Sequence, residues 1–306
     1  MMQTKELQQK ILRLKKEKDF CILAHTYQSH EILEIADFTG DSFALSRKAT
    51  GVSEKNVLMC GVRFMAETVK LLSPDKRVVI ASGDAGCPMA EQFTRAEVEA
   101  WRKEHPEGIV VAYVNTTTDL KRACDYCVTS ASAVKIVSKL PGDREILFIP
   151  DKNLGSYVAK KLPTKKLVFW NGGCPIHNSI TLKELQTAKA QHPEALVLTH
   201  PECANDVVSA SDFVGSTTEI MDYAAKSEAS SFIIGTENNI VTHLQYELPE
   251  KQFYPLSKRL VCADMRLTSL PDVLSALEGT AGLEIKLDGD TLREARVCID
   301  RMIEMG

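Results

Sequence analysis

The stretch FWNGGCPIHNS, residues 169–179, sets a thiol behind an apolar run and two glycines and ahead of a proline. Cys174 in this stretch has two counterparts, Cys87 in SGDAGCPMA (82–90) and Cys262 in LVCADM (260–265), which lie 87 and 88 residues from it. The same interval recurs elsewhere. His25 in LAHTY, Tyr113 in VAYVN and His200 in LTHPE are 88 and 87 apart, and Ser42 in TGDS, Ser130 in CVTS and Ser216 in VGST are 88 and 86 apart. One coincident spacing carries little weight, but three independent sets predict an internal triplication of an αβα unit.

Apolar, β-rich runs supply the strands of that unit. FCILAH, NVLMCG, RVVIAS, GIVVAYV, EILFIP, KLVFW, ALVLTH, SFIIGT and RLVCAD alternate with helical segments such as RAEVEAWRKEH and LKELQTAKAQH. Runs that are apolar throughout belong to parallel strands covered on both faces, so the expected fold class is α/β with parallel sheets. The expected architecture is three αβα sandwich domains related by pseudo-threefold symmetry: 1–88, completed by a C-terminal helix at about 288–306, then 89–175 and 176–287. In parallel α/β sheets, ligands bind beyond the carboxyl ends of the strands. Three units around one axis therefore aim equivalent loops at one point, and Cys87, Cys174 and Cys262 are expected to converge.

Composition narrows the partners. With 37 Lys and Arg against 41 Asp and Glu the net charge is −4, and no basic run marks a nucleic-acid footprint. The amino-terminal MMQTKELQQKILRLKKEKDF reads as a charged amphipathic helix rather than a signal peptide, and no apolar run approaches the roughly 18 residues of a membrane span. The expectation is a cytoplasmic protein with no membrane partner, in which nine cysteines are free thiols or metal ligands.

Three convergent thiolates without a fourth protein ligand suit an iron–sulfur cluster with one open iron better than structural zinc, which takes four ligands in closely spaced pairs. His177, three residues after Cys174, is a possible fourth ligand and keeps a Cys3His zinc site open. CDYC (124–127) falls in what reads as a helix, DLKRACDYC, with no second pair; its thiols read as buried, with a redox switch as the lesser alternative. Cys21, Cys60, Cys203 and Cys298 sit in apolar patterns and read as core. The chain has no G-x-G-x-x-G, no G-x-x-x-x-G-K-[ST] and no G-x-S-x-G, so nicotinamide, nucleotide and serine-hydrolase chemistry lack their usual local support.

Around the thiols, strand-end loops offer acid–base and anion-binding groups: His25 and Tyr27, Tyr113 and Asn115, His200 and Glu202. A lone His or Tyr at a strand end is more often packed or capping, but a common period favours a shared site. Ser42, Ser130, Ser216 and Thr217 stand where strands pass into helices. There they either cap the helix or, with its free N–H groups, hold an anion, and the two roles do not exclude each other.

AHTYQ, GDSFALSR, CGVRFMAET, DAGCPMA, YVNT, PDKNLG, GGCPIH, HPEC, VGSTTEI, IIGTE and CADMRLTSL, in this order along almost the whole chain, resemble the quinolinate synthase family. The resemblance implies three αβα domains enclosing a 4Fe-4S cluster on Cys87, Cys174 and Cys262. The implied reaction belongs to NAD biosynthesis: iminoaspartate, supplied by L-aspartate oxidase, condenses with dihydroxyacetone phosphate to give quinolinate, phosphate and water. It also implies Glu202 as base or proton shuttle with Tyr27 and His25 assisting. Tyr113, Asn115, Ser42 and Ser130 would hold substrate carboxylates, and His200, Ser216 and Thr217 substrate and phosphate. Two positions depart from the family pattern, Ser132 where an asparagine is expected and Arg266 where a lysine is expected, which puts an amide and an anion contact in doubt. Competing expectations are another cluster-dependent hydro-lyase, a non-catalytic iron–sulfur or thiol redox sensor, and a structural zinc domain.

Overall fold

A computed structural model describes residues 3–306. The first sheet contains Phe20–His25 (β1), Phe38–Gly40 (β2), Asn56–Cys60 (β3) and Arg77–Ile80 (β4). The second contains Ile109–Tyr113 (β5), Tyr126–Val128 (β6), Glu145–Ile149 (β7) and Lys166–Phe169 (β8), and the third Leu196–Thr199 (β9), Phe213–Val214 (β10), Ser231–Gly235 (β11) and Gln252–Pro255 (β12). In every sheet the spatial order is second, first, third, fourth, and all these pairings are parallel. With helices flanking the sheets, this repeated order is the triplicated αβα fold that the spacing predicts. Leu283–Glu284 (β13) adds one antiparallel strand beside β4.

The central strands are apolar along their length because helices cover both faces; every residue of β1 and β5 is buried. A repeated aspartate fixes the short edge strands. Asp37, Asp125 and Asp212 each accept the main-chain N–H of Ile22, Val110 and Val197 respectively at 2.8 Å. Each aspartate's own N–H donates back to the carbonyl of the same residue at 2.9 Å. A strand of two or three residues has few ladder bonds of its own, and this side-chain clamp supplies the missing ones at the same place in all three units.

Two expectations from the sequence are corrected. CDYC is not helical: the helix stops at Lys121, and Asp125 is the repeated clamp leading into β6, which carries Cys127. RLVCAD is loop, and the fourth strand of the third unit is the shorter QFYP before it. The edge strands β2, β6 and β10 were too short to register as apolar runs.

After β12 the chain returns to the first unit. The helix Leu270–Glu278 packs against the helix Thr4–Glu17, and Val273, Ala276 and Leu277 share a core with Ile11, Ile22 and Leu58. Lys18 Nζ donates to the Leu277 carbonyl at 2.8 Å, placing a cation on the free carbonyls of that helix end. The final helix, Gly289–Met305, lies in the seam of two units, against the helix Arg63–Leu72 of the first and against β6 of the second, where Arg301 donates to the Asp125 carbonyl at 2.7 Å. Among the described residues no helix is long and apolar enough to cross a membrane.

Candidate active site

All three sheets present their carboxyl ends to one cavity, and equivalent strands contribute equivalent positions. The ends of the first strands bring His25, Tyr113 and His200, the turns after the second strands Ser42, Ser130 and Thr217, and the loops after the fourth strands Cys87, Cys174 and Cys262. With Tyr27, Asn115 and Glu202 also on the wall, twelve of the thirteen site residues expected from the sequence come together. The cavity has about 750 Å³ of non-atom space including its open mouth, the size of a small-molecule site.

Ser216 is the exception. It is fully buried as the N-cap of the helix Thr217–Lys226, where its hydroxyl accepts the Glu219 N–H at 3.3 Å and Glu219 returns the bond to its main chain at 2.7 Å. Ser42 and Ser130 do not cap: Asp41 caps the helix that Ser42 begins, accepting from Phe43 and Ala44, and no helix starts at Ser130.

Cys87, Cys174 and Cys262 are half-buried in three separate loops packed against one core. All three line the same cavity. Burial pushes the Cys87 thiol up to about 12 and raises Cys174 and Cys262 as well. Three such sulfurs lose their protons together only when a cation offsets their charge.

The Cys174 loop shows how the two glycines serve the thiol. A Cβ on Gly172 would stand 2.5 Å from the Pro150 carbonyl oxygen and 2.6 Å from Phe93, so only glycine allows the approach. Gln92 holds Gly173 by donating to its carbonyl at 2.9 Å and accepting its N–H at 2.8 Å. Asp151, after β7, accepts the Cys174 N–H at 3.0 Å; burial, then the charge of Glu202, pushes its carboxyl up to about 7. Glu237 occupies the matching place after β11. Fully buried, it takes Arg266 at 2.8 Å and the Asn239 N–H at 2.7 Å, and so ties the loop of Cys262 to its own. The two departures thus have local roles. Arg266 pairs with Glu237, and the buried Ser132 hydroxyl accepts the Thr129 N–H at 2.9 Å, closing the turn beside Ser130.

Glu202 is the electrostatic centre. Burial works to raise its carboxyl, and His200, His177 and a hydrogen bond from Tyr113 outweigh burial and hold it below the usual carboxylate range. Tyr113 donates to Oε1 at 2.6 Å, and His177 Nδ1 lies 2.8 Å from Oε2. Burial pushes His25 and His200 down to about 4 and raises the phenols of Tyr27 and Tyr113 well above their ordinary range, with Glu202 adding to the rise in both. At neutral pH the wall therefore carries an anion, neutral imidazoles at His25 and His200, and neutral phenols. None of the described lining residues is Lys or Arg, which leaves hydroxyls, imidazoles and amides to meet a substrate anion. Asn115 Oδ1 is buried without a partner among the described residues.

His177 Nδ1 is also 3.2 Å from Cys174 Sγ, and Cys174, His177 and Glu202 offer ligand atoms within 4.8 Å of one another. The sequence reading left His177 as a ligand alternative but missed Asp41, Thr129 and Glu237 on the wall. Comparison of the units offers a signal for Glu237, which follows β11 as Asp151 follows β7, whereas Val62 fills that place after β3.

Three parallel-sheet units converging on a cavity of thiols, neutral phenols and one ionised glutamate define an α/β enzyme whose site is completed only by all three repeats. The chain belongs to the quinolinate synthase family: the family described as Quinolinate synthetase A protein matches residues 9–304. It is 47% identical over 267 residues to a quinolinate synthase of Clostridium kluyveri, covering 87% of this chain and 88% of that one. It is 43% identical over 300 residues to one of Caldicellulosiruptor bescii, with 98% of each chain covered. It is 42% identical over 306 residues to one of Aquifex aeolicus, covering 98% of this chain and 94% of that one.

Proposed function

We propose that this enzyme condenses iminoaspartate with dihydroxyacetone phosphate to quinolinate, phosphate and water, with a 4Fe-4S cluster on Cys87, Cys174 and Cys262. The observation that carries the proposal is that one cysteine from each repeat faces the cavity that also holds Glu202. The donor set fits the cluster: three thiols on independent loops lining one cavity, with no knuckle pair, suit a cluster with one iron open to substrate. When bound, that iron supplies a Lewis acid for a substrate oxygen or nitrogen.

The chain's own groups supply the proton transfers and the binding. Glu202, ionised at neutral pH, accepts a proton from the condensing substrates, and Tyr113 and His177 hold its two oxygens in place. Tyr27 keeps its phenolic proton for isomerisation and dehydration beside His25. Ser42, Ser130, Asn115 and Tyr113 meet the carboxylates, and His200 and Thr217 the phosphate-bearing substrate. Ser216 contributes by fixing Thr217 at the first turn of its helix. The partnerless Asn115 amide fits a polar substrate, because a ligand atom there would complete a buried group. In this reading iminoaspartate comes from L-aspartate oxidase and the product enters NAD biosynthesis.

A second reading, a mononuclear zinc site, is favoured by the closeness of Cys174, His177 and Glu202. Metal analysis separates the two. Protein purified without oxygen is expected to be brown, with about four irons and matching acid-labile sulfide per chain, and to form quinolinate when an aspartate oxidase, aspartate and dihydroxyacetone phosphate are supplied. Cys87→Ser, Cys174→Ser and Cys262→Ser should each lose the colour and the turnover. Colourless wild-type protein with one zinc per chain would overturn the cluster reading.

A further inference from the structure

Tyr27, Asn115 and Glu202 stand 88 and 87 residues apart, so one place in the repeat gives the cavity wall three different groups. The backbone at that place is not held alike in the three units. In the first, His25 Nδ1 accepts the Tyr27 N–H at 3.1 Å and the His25 carbonyl accepts the Gln28 N–H at 2.9 Å. In the third, His200 Nδ1 accepts the Glu202 N–H at 3.3 Å and the His200 carbonyl accepts the Cys203 N–H at 3.0 Å. Each imidazole thus holds the main chain of the residue two places on.

The second unit has Tyr113 where the others have histidine, and its phenol reaches away to Glu202. The turn changes accordingly. The Thr116 N–H goes to the Val114 carbonyl at 2.8 Å, closing a three-residue turn with Asn115 at its apex. Only the Thr116 hydroxyl reaches the Tyr113 carbonyl, at 3.2 Å. Lys121 braces this turn on both sides: its ammonium donates to the Val114 carbonyl at 2.9 Å and to the Thr116 carbonyl at 2.5 Å, the two residues that flank Asn115. Lys121 is 1% exposed, and its counterparts at the same interval, Leu33 and Val208, are buried and apolar. A lysine in a slot that the other repeats fill with hydrocarbon costs desolvation, which these hydrogen bonds offset.

We propose that Lys121 is the positioning residue for Asn115, doing for it what Nδ1 of His25 and of His200 does for Tyr27 and Glu202. With both flanking carbonyls tied to one ammonium, the apex of the turn keeps one orientation. Asn115 Oδ1, buried without a partner among the described residues, then stays set for a ligand. This inference rests on the reading of Asn115 as a contact for substrate carboxylates.

The test uses quinolinate, which carries two carboxylates, as the ligand of iron-loaded protein in titration calorimetry. Lys121→Met, close to lysine in length but without its donors, is expected to weaken quinolinate binding about tenfold, with iron content and the KM for dihydroxyacetone phosphate within about twofold of wild type. Asn115→Ala should weaken quinolinate to the same degree, and adding Lys121→Met to it should weaken binding no further. If Lys121→Met does not fold, Lys121→Leu, which places there the residue type of the first repeat, takes its part. Wild-type affinity in the Lys121 variant beside a weakened Asn115→Ala overturns the proposal. So do losses that add in the double variant, or an equal rise in the KM for dihydroxyacetone phosphate. If wild type binds no quinolinate, or Asn115→Ala binds it as wild type does, the functional reading of Asn115 fails instead. Crystal structures of wild type and the Lys121 variant then decide the role of Lys121: a displaced Asn115 turn supports it and an unmoved one overturns it.

Discussion

Glu202 concentrates the chemistry of the site because it is a buried acid that stays ionised. Its two oxygens take different donors, Tyr113 and His177. Glutamine can accept on one side only, so Glu202→Gln breaks one of these bonds as well as removing the charge. The expected result is a kcat about 10²–10⁴-fold lower with full iron content, measured as quinolinate formed per loaded cluster; wild-type turnover would remove Glu202 from the proposed role. Asp151 tests positioning beside a thiol. Asp151→Asn keeps the shape but weakens the acceptor of the Cys174 N–H, and iron loss to a chelator is expected to run about 10-fold faster. Equal release rates would mean that the loop holds Cys174 without this bond. At this scale Glu202 and the cysteines were legible because their residue types carry chemistry at a repeated spacing. Thr236 and Glu237 were not, since an ordinary Thr and Glu after a strand gain meaning only from what they touch.

Among the helices, Leu182–Gln191 shows local signals and tertiary contacts combined. Thr181 and Glu184 form a capping box that the sequence TLKE announces. What the sequence does not announce is Arg259, whose guanidinium is 2.5 Å from Glu184 and carries the loop that leads to Cys262. Arg259, chief among its partners, holds the Glu184 carboxyl down at about 2. A carboxylate depressed on folding adds stability above its unfolded value and loses it as pH falls toward the folded one. Glu184→Gln should therefore cost about 1 kcal/mol at pH 7, the upper range for a partly exposed pair, with the gap shrinking below about pH 4.5 and absent near pH 2. Urea midpoints of the two proteins across that range decide it, and a gap constant with pH would exclude the ion pair as its source. The long central strands were readable as continuous apolar runs. Strands β2, β6 and β10 were not, because side-chain clamps from Asp37, Asp125 and Asp212 hold them rather than apolar periodicity.

Across the whole molecule, the repeats are not independent bodies, since one apolar core runs through residues of all three sheets, including Leu23, Phe148 and Phe232. The final helix reinforces this by bridging two units, with Arg122 of the second paired to its Glu294 at 2.8 Å. The expected consequence is one cooperative thermal transition. Phe148→Ala, at a fully buried position of β7, should lower stability by about 3–5 kcal/mol and shift that single transition without splitting it. Calorimetry showing two separated transitions would mean that the units unfold separately.

The sequence by itself determined the repeat, the class of fold and the set of thiols, because a regular spacing of strand ends and chemically distinctive side chains survives in one dimension. Twelve of its thirteen candidate residues meet on one wall for that reason. Only the tertiary structure decided the rest: that Ser216 is spent on a helix cap, that Glu237 and Arg266 brace the Cys262 loop, and that Thr236 joins Tyr27 to His177. The first two are contacts within the third repeat, and the last joins the third repeat to the first, a distance that arises when the sheets pack their carboxyl ends together.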